Sequence, residues 1–278
     1  MESSLAAAGA PLEIRGVGKT YVSARTGESI EALSGIDCMV RPGEFFAVVG
    51  PSGCGKSTLL SIIAGFIPPS TGEVRFDGRP VTGPAAERGV IFQDYALFPW
   101  RTVLGNVEFG PYARGLSAGE RRTRARALIE LVGLHGFEGR YPHELSGGMR
   151  QRCALARMLA NEPRMWLMDE PLAAVDLQTR IILQDELLRL WGDTAGAGNR
   201  PTVLFVTHGI DEAVLMADRV LVMARRPGRV KAIVDVDLPR PRAVQRNSPE
   251  MARLTEHVWS LIRDDAAQAI AEEHEATR

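Results

Sequence analysis

The sequence predicts an α/β protein: a mostly parallel sheet covered by helices on both faces, with an antiparallel β unit near the start and an inserted helical segment. Three observations predict it. Apolar runs of strand length alternate with helical runs through both halves of the chain, as crossover-connected parallel strands require. Glycine-punctuated strand runs open the chain without helices between them. A long arginine-rich stretch then interrupts the alternation.

The elements follow in order. LEIRGVGKTY, IEALSGIDCMV and EFFAVVG read as strands, with Pro42-Gly43 marking a turn. From Ser57 the pattern changes to a helix, STLLSIIAGF, which Pro68-Pro69 breaks, and the hairpin-like GEVRFDGRPV follows. GVIFQ is a buried-strand candidate. From about Ala118 to Leu134 the chain is polar, arginine-rich and helical, and is read as an insertion into the sheet. MWLMDE, TVLFVTH and RVLVMA are three further strands, with helices LQTRIILQDELLRLW and GIDEAVLMA between them. Ser248-Pro249-Glu250 has the form of a helix start, a capping serine followed by proline in the first turn. Met251, Leu254, Val258, Leu261 and Ile262 continue it at helical spacing. The expected division is one nucleotide-handling unit over 12–240, with its helical part at about 94–160, and a helical tail over 241–278.

Bulk properties narrow the function. With 278 residues the chain is long enough for a sizeable core. A net charge of −1 provides no broad basic field for nucleic acid. Cys38, Cys54 and Cys153 have neither pairing nor metal-ligand spacing, which fits a reducing, cytosolic compartment. The start, MESSLAAAGAP, lacks the basic residues of a secretory signal. The longest apolar stretch, Leu59 to Ile67, is about half of the roughly 20 residues that a membrane helix needs.

The strongest chemical signal is GPSGCGKST, from Gly50 to Thr58, between an apolar strand and an apolar helix. Small residues there (Gly50, Pro51, Ser52, Gly53, Cys54 and Gly55) let backbone N–H groups converge on phosphate oxygens, aided by the helix N-terminus. In such a phosphate loop Lys56 reaches the β- and γ-phosphates and the Ser57 hydroxyl ligates Mg²⁺. MWLM ends in Asp169-Glu170. At the carboxyl end of a parallel strand, Asp169 suits Mg²⁺ and Glu170 suits polarisation of an attacking water. LSGGMRQR, leading into CALARMLA, places Ser146, Gly147 and Gly148 at a second helix start with donors for an anion. By geometry this is either an ordinary capped helix or an end that faces the nucleotide of a partner chain.

LSGGMRQR resembles the signature sequence of ABC transporter ATPases, and the resemblance extends from about Leu12 to Leu238. It implies a P-loop NTPase of RecA-like core, ATP and Mg²⁺ as ligands, and two copies packed head to tail. Each ATP would then lie between one copy's phosphate loop and the other's Ser146–Gly148. It further implies that Tyr21 stacks on adenine, although a strand tyrosine can also be core. Gln93 matches the glutamine that contacts Mg²⁺ and the attacking water, His208 the switch histidine that holds the γ-phosphate, and Asp176 the aspartate of the loop crossing the dimer interface. Leu172-Ala173-Ala174-Val175 replaces the commoner Phe-Gly-Ala-Leu before Asp176.

ALFPWRTVLGNV, YPHELSGGMRQR, THGIDEAVLMADRV and ARRPGRV are similar to the ATPases of nitrate, sulfonate and taurine importers. The implied partners are transmembrane permease subunits and, indirectly, a solute-binding protein, with the chain peripheral on the cytoplasmic face of the inner membrane. Leu97, Phe98, Pro99 and Trp100 either dock the permease or pack locally. Arg121, Arg122, Arg124 and Arg126 read as a solvated helix face. The coiled-coil interruption of DNA-repair cassettes and the double cassette of translation ATPases are both missing, which disfavours a soluble role apart from transport.

Overall fold

The structure, a computed structural model, describes residues 8–23, 27–173, 175–192 and 200–276, with side chains up to Asp265. The opening residues through Ala7 and Ala174, both used above, lie outside the described residues.

The elements run β1 (Leu12–Val22), β2 (Ser29–Val40), β3 (Phe45–Val49), α1 (Lys56–Ala64), β4 (Thr71–Phe76), β5 (Arg79–Pro80) and β6 (Arg88–Ile91). Then follow α2 (Val103–Val107), α3 (Phe109–Ala113), α4 (Ala118–Leu131), α5 (Gly147–Leu159) and β7 (Met165–Asp169). The chain closes with α6 (Leu177–Trp191), β8 (Thr202–Val206), α7 (Ile210–Met216), β9 (Arg219–Met223), β10 (Val230–Asp235) and α8 (Pro249–Ala276).

Two sheets form. One is antiparallel, in the order β2-β1-β4-β5. The other runs β10-β9-β3-β8-β7-β6, parallel throughout except for β10, which is antiparallel to β9. Helices α2 to α5 are inserted between β6 and β7. The predicted α/β architecture, with its parallel core, antiparallel unit and helical insertion, is therefore present.

Side-chain alternation explains why the interiors of the central strands are apolar. Phe45, Ala47 and Val49 enter a core shared with α4 to α8, whereas Phe46 and Val48 enter a core shared with α1 and the antiparallel sheet. β7 divides the same way, Trp166 and Met168 to one side, Met165 and Leu167 to the other. Both faces of the sheet are covered, so polar residues on β7 and β8 are confined to strand ends, at Asp169 and Thr202. Leu59, Leu60, Ile62 and Ile63 of α1 are buried in this second core, each contributing about 1.5–3 kcal/mol.

The structure also corrects the sequence reading. VKAIVD forms β10, a strand the reading omits, and two five-residue helices, α2 and α3, precede the arginine-rich one. That helix ends at Leu131 rather than near Leu134. Gly133, at φ 66°, takes the left-handed turn that stops it, while the Leu134 N–H reaches back to the Ile129 carbonyl at 2.8 Å. Among the described residues, no helix is long and apolar enough to cross a membrane.

The tail is not a loose appendage. Met251, Val258 and Ile262 of α8 belong to the larger core, and Lys231 of β10 pairs with Asp265 at 2.6 Å.

Candidate nucleotide site

Register brings the site together. Val48 of β3 and Asp169 of β7 both pair with Val206 of β8, so the carboxyl ends of three parallel strands meet at one edge of the sheet. Ligands of open α/β sheets bind at such an edge.

After β3 the chain turns into α1 through Gly53 and Gly55, at φ 71° and 99°. Gly55 is required on two counts: its backbone is left-handed, and a Cβ would lie 2.6 Å from Leu33 Cδ2 and 3.0 Å from the Ala32 carbonyl. The buried Lys56 ammonium lies inside the loop and donates to the Gly50 and Pro51 carbonyls, both at 2.9 Å. Cys54 is buried beneath, its Sγ 3.8 Å from that ammonium. Burial pushes the Cys54 thiol above its ordinary range, against the pull of Lys56.

Ser57 Oγ lies 3.2 Å from Asp169 Oδ1. Burial raises the Asp169 carboxyl above its usual range, with the Ser57 hydrogen bond and then Lys56 opposing the shift. One residue on, Glu170 takes a left-handed backbone, φ 48°, fixed by its N–H donating to the Val206 carbonyl at 2.9 Å. A left-handed glutamate at a strand end is strained, and such strain concentrates at functional sites. Glu170 Oε1 reaches His208 Nε2 at 2.6 Å. Burial and then the Lys56 charge hold the His208 imidazole below its ordinary pKa, while Glu170 pulls the other way. In its neutral form His208 donates its Nε2–H to the Glu170 carboxylate.

A cavity of about 460 Å³ collects these groups: Tyr21, Ser52, Gly53, Gly55, Lys56, Ser57, Thr58, Glu170 and His208 line it, joined by Ile30, Ala32 and Arg226. The remaining motif residues lie elsewhere. Gln93 is exposed on the turn after β6, at the same sheet edge but outside the cavity lining. Two left-handed residues follow it, Tyr95 and Ala96, whose carbonyls both accept from Arg157 of α5, at 2.9 and 2.6 Å. Ser146 caps α5 by accepting from the Met149 N–H at 3.3 Å, and Asp176 caps α6 by accepting from the Thr179 N–H at 3.0 Å. These two helix starts adjoin: a Cβ on Gly148 would lie 3.0 Å from Thr179 Cγ2. Neither Ser146, Gly147 nor Asp176 lines the phosphate-loop cavity.

The family described as ABC transporter matches residues 33–173. An ABC transporter ATP-binding protein of Methanocaldococcus jannaschii is 50% identical over 244 residues, covering 88% of this chain and 89% of that protein. The chain belongs to the ABC transporter family of ATP-binding proteins. A taurine import ATP-binding protein of Jannaschia sp. is 43% identical over 247 residues, 86% of this chain and 89% of that protein. A nitrate import ATP-binding protein of Synechocystis sp. is 41% identical over 259 residues, 91% and 95% of the two chains. Among solved structures, a dimeric post-hydrolysis ATP-binding cassette bound to ADP and phosphate superposes with a TM-score of 0.71 at 33% identity, covering 82% of this chain and 99% of that one.

In this ABC cassette the residues missed from sequence are Ile30, Ala32 and Arg226. Arg226 reaches the cavity because its loop is pinned from two sides. The Gly228 N–H donates to the Ala32 carbonyl at 2.9 Å, and a Cβ on Gly228 would fall 2.0 Å from the Cys54 carbonyl oxygen. No spacing in the sequence announces such a contact.

Proposed function

We propose that this chain hydrolyses ATP at two sites shared by two copies packed head to tail, driving uptake of a small anion such as a sulfonate, taurine or nitrate through separate permease subunits. The observation that carries this reading is the convergence of Lys56, the Ser57–Asp169 pair and the Glu170–His208 pair at one sheet edge. The exposed Ser146 helix start lies outside that cavity. A second anion-binding helix end that cannot serve its own chain's nucleotide is useful to a partner's. The dimeric ADP-bound neighbour and the two import relatives support the same reading.

The chemistry follows from the placement. Lys56 would exchange its two loop carbonyls for β- and γ-phosphate oxygens, keeping its donors satisfied. Tyr21, half-exposed at the cavity rim beside Ile30, offers a ring face for adenine. Ser57 and Asp169 would supply the hard oxygen donors that Mg²⁺ prefers, with Gln93 as a further ligand, and the ion would neutralise charge on the phosphate oxygens. Glu170 accepts a proton from the attacking water, and His208 holds that carboxylate in place until its single N–H turns toward the γ-phosphate. Ser146, Gly147 and Gly148 of the other copy close the γ-phosphate from the opposite side, and Asp176 crosses the interface. ATP binding closes the dimer and hydrolysis reopens it. The permease would sit on the loop bearing Leu97, Phe98, Pro99 and the exposed Trp100, holding the cassette at the cytoplasmic face of the membrane. A solute-binding protein acts only through the permease, and no nucleic acid takes part.

The test is phosphate release by the chain reconstituted with its permease, with taurine-, sulfonate- and nitrate-binding proteins added in turn. Stimulation by one loaded binding protein is expected. Efficient hydrolysis by a provably single copy would overturn the shared-site model.

A further inference from the structure

The segment between β10 and α8 reaches the switch histidine through four side chains. Thr207 brackets His208 on both sides: its N–H donates to the Val48 carbonyl at 3.2 Å, and its Oγ1 accepts the Gly209 N–H at 3.0 Å. The Thr207 hydroxyl donates in turn to Glu212 Oε2 on the first turn of α7. The other oxygen, Glu212 Oε1, accepts from Gln184 Nε2 of α6 at 3.0 Å. Thr207, Glu212 and Gln184 are all more than nine-tenths buried. Gln184 Oε1 then accepts from Arg246 Nη1 at 2.6 Å, while Arg246 Nη2 pairs with Asp185 Oδ1 at 2.5 Å.

Each acceptor in this chain has a donor, and each amide or hydroxyl uses both of its capacities. A buried chain satisfied at every link admits one arrangement, because reversing any member leaves a neighbour unpaired in a dry interior. Arg246 fixes the direction. A guanidinium can only donate, so it orients the Gln184 amide with its oxygen outward and its NH₂ toward Glu212. Glu212 is then held as an acceptor for the Thr207 hydroxyl, whose lone pair stays free for Gly209. Without Arg246 the amide is free to flip, and the constraint on the Thr207–Gly209 turn weakens.

We propose that Arg246 is a positioning residue for hydrolysis: acting through Gln184, Glu212 and Thr207, it sets the placement of His208 against Glu170. The inference rests on the reading of His208 as the hydrolytic switch given above. It makes the tail segment part of the catalytic apparatus, though about 40 residues separate it from His208 in sequence and Arg246 does not line the cavity.

The experiment is ATP turnover of the full chain in Arg246→Ala, Gln184→Met and His208→Ala forms and in the two doubles containing Arg246→Ala. Arg246→Ala is expected to lower kcat about three- to tenfold, the net worth of roughly one hydrogen bond, with KM for ATP unchanged within about twofold. The same change should add nothing in the Gln184→Met or the His208→Ala background. Unchanged kcat in Arg246→Ala, or an equal further loss in either background, overturns the relay. Arg246→Lys separates the relay from simple docking of the tail. It keeps a charge beside Asp185 but lacks the fork that serves both partners, so thermal stability should hold while kcat still falls; a lysine form with full kcat overturns the relay. If His208→Ala alone keeps full turnover, the switch reading itself fails, an outcome distinct from full turnover in Arg246→Ala alone.

Discussion

Two helix starts in this cassette carry glycine-rich sequence, and they are built to opposite ends. The start of α1 is complete within one chain. Its loop glycines are left-handed, its lysine is already satisfied by loop carbonyls, and Asp169, Glu170 and His208 arrive from neighbouring strands through hydrogen-bonded register. The start of α5 has none of these. Ser146 is exposed, its hydroxyl serves its own helix, and its neighbour across a close contact is another helix start, that of α6. The first region holds its chemistry by the fold of one chain; the second presents two exposed helix starts, one capped by Ser146 and one by the Asp176 carboxylate, to whatever lies outside it. Backbone changes should therefore separate them, costing the first region its fold and the second little stability.

The largest effect belongs to Glu170→Gln, which keeps shape and hydrogen bonding but removes the proposed base. Turnover should fall by about 10²–10⁴ with nucleotide still bound, as read by phosphate release beside equilibrium binding. Near-normal turnover would take Glu170 out of that role. Ser146→Arg comes next. In mixed dimers with wild-type chains it should silence each site that uses the altered α5 start, while unfolding free energy drops only by the loss of a cap, about 1 kcal/mol. Full activity at both sites would erase the distinction between the two regions.

Stability sharpens the comparison further. Gly55→Ala must place a side chain at φ 99°, 2.6 Å from Leu33 Cδ2, which costs about 1–3 kcal/mol for the backbone alone. Gly148→Ala, on helical backbone, meets only Thr179 Cγ2 at 3.0 Å. It also recovers up to about 1 kcal/mol of helix propensity. Denaturant unfolding of the two variants should rank them clearly, Gly55→Ala far the weaker protein.

What the sequence made legible divides along physical lines. The central strands could be read because burial on both faces leaves uninterrupted apolar runs, as in FFAVV and MWLM. β10 could not, because as an edge strand it keeps Lys231 and Asp235 exposed or half-exposed and shows no clean alternation. Nor could α2 and α3, five residues each and too short to display a helical period. Lys56, Ser57, Asp169 and Glu170 stood out because phosphate chemistry dictates their local spacing. Arg226 did not, since only the contact of its loop with Ala32 brings it to the cavity, nor did the Gln184–Glu212–Arg246 chain, whose bonded residues are 28 and 62 positions apart. Glu212 is the instructive case. An acid in the first turn of a helix reads as a solvated favourite of the helix dipole, yet here it is buried and bridges two elements.

The smallest expected effect is a pH slope, and it probes the first region only. His208 titrates below its ordinary value in the fold because of burial and the Lys56 charge. The unfolded chain, with an imidazole near its ordinary value of 6.5, therefore binds a proton at higher pH than the folded one. As pH falls from 7.5 toward 5.5, proton uptake by the unfolded state lowers the stability of the wild type. In His208→Gln that contribution is gone, so its melting temperature relative to wild type should rise over the same interval. Carboxylates titrate mostly below this window, and the remaining histidines are common to both proteins and cancel. A difference that stays flat, or falls, would mean that Glu170 rather than burial governs the imidazole, and that the pair at the sheet edge carries a charged histidine.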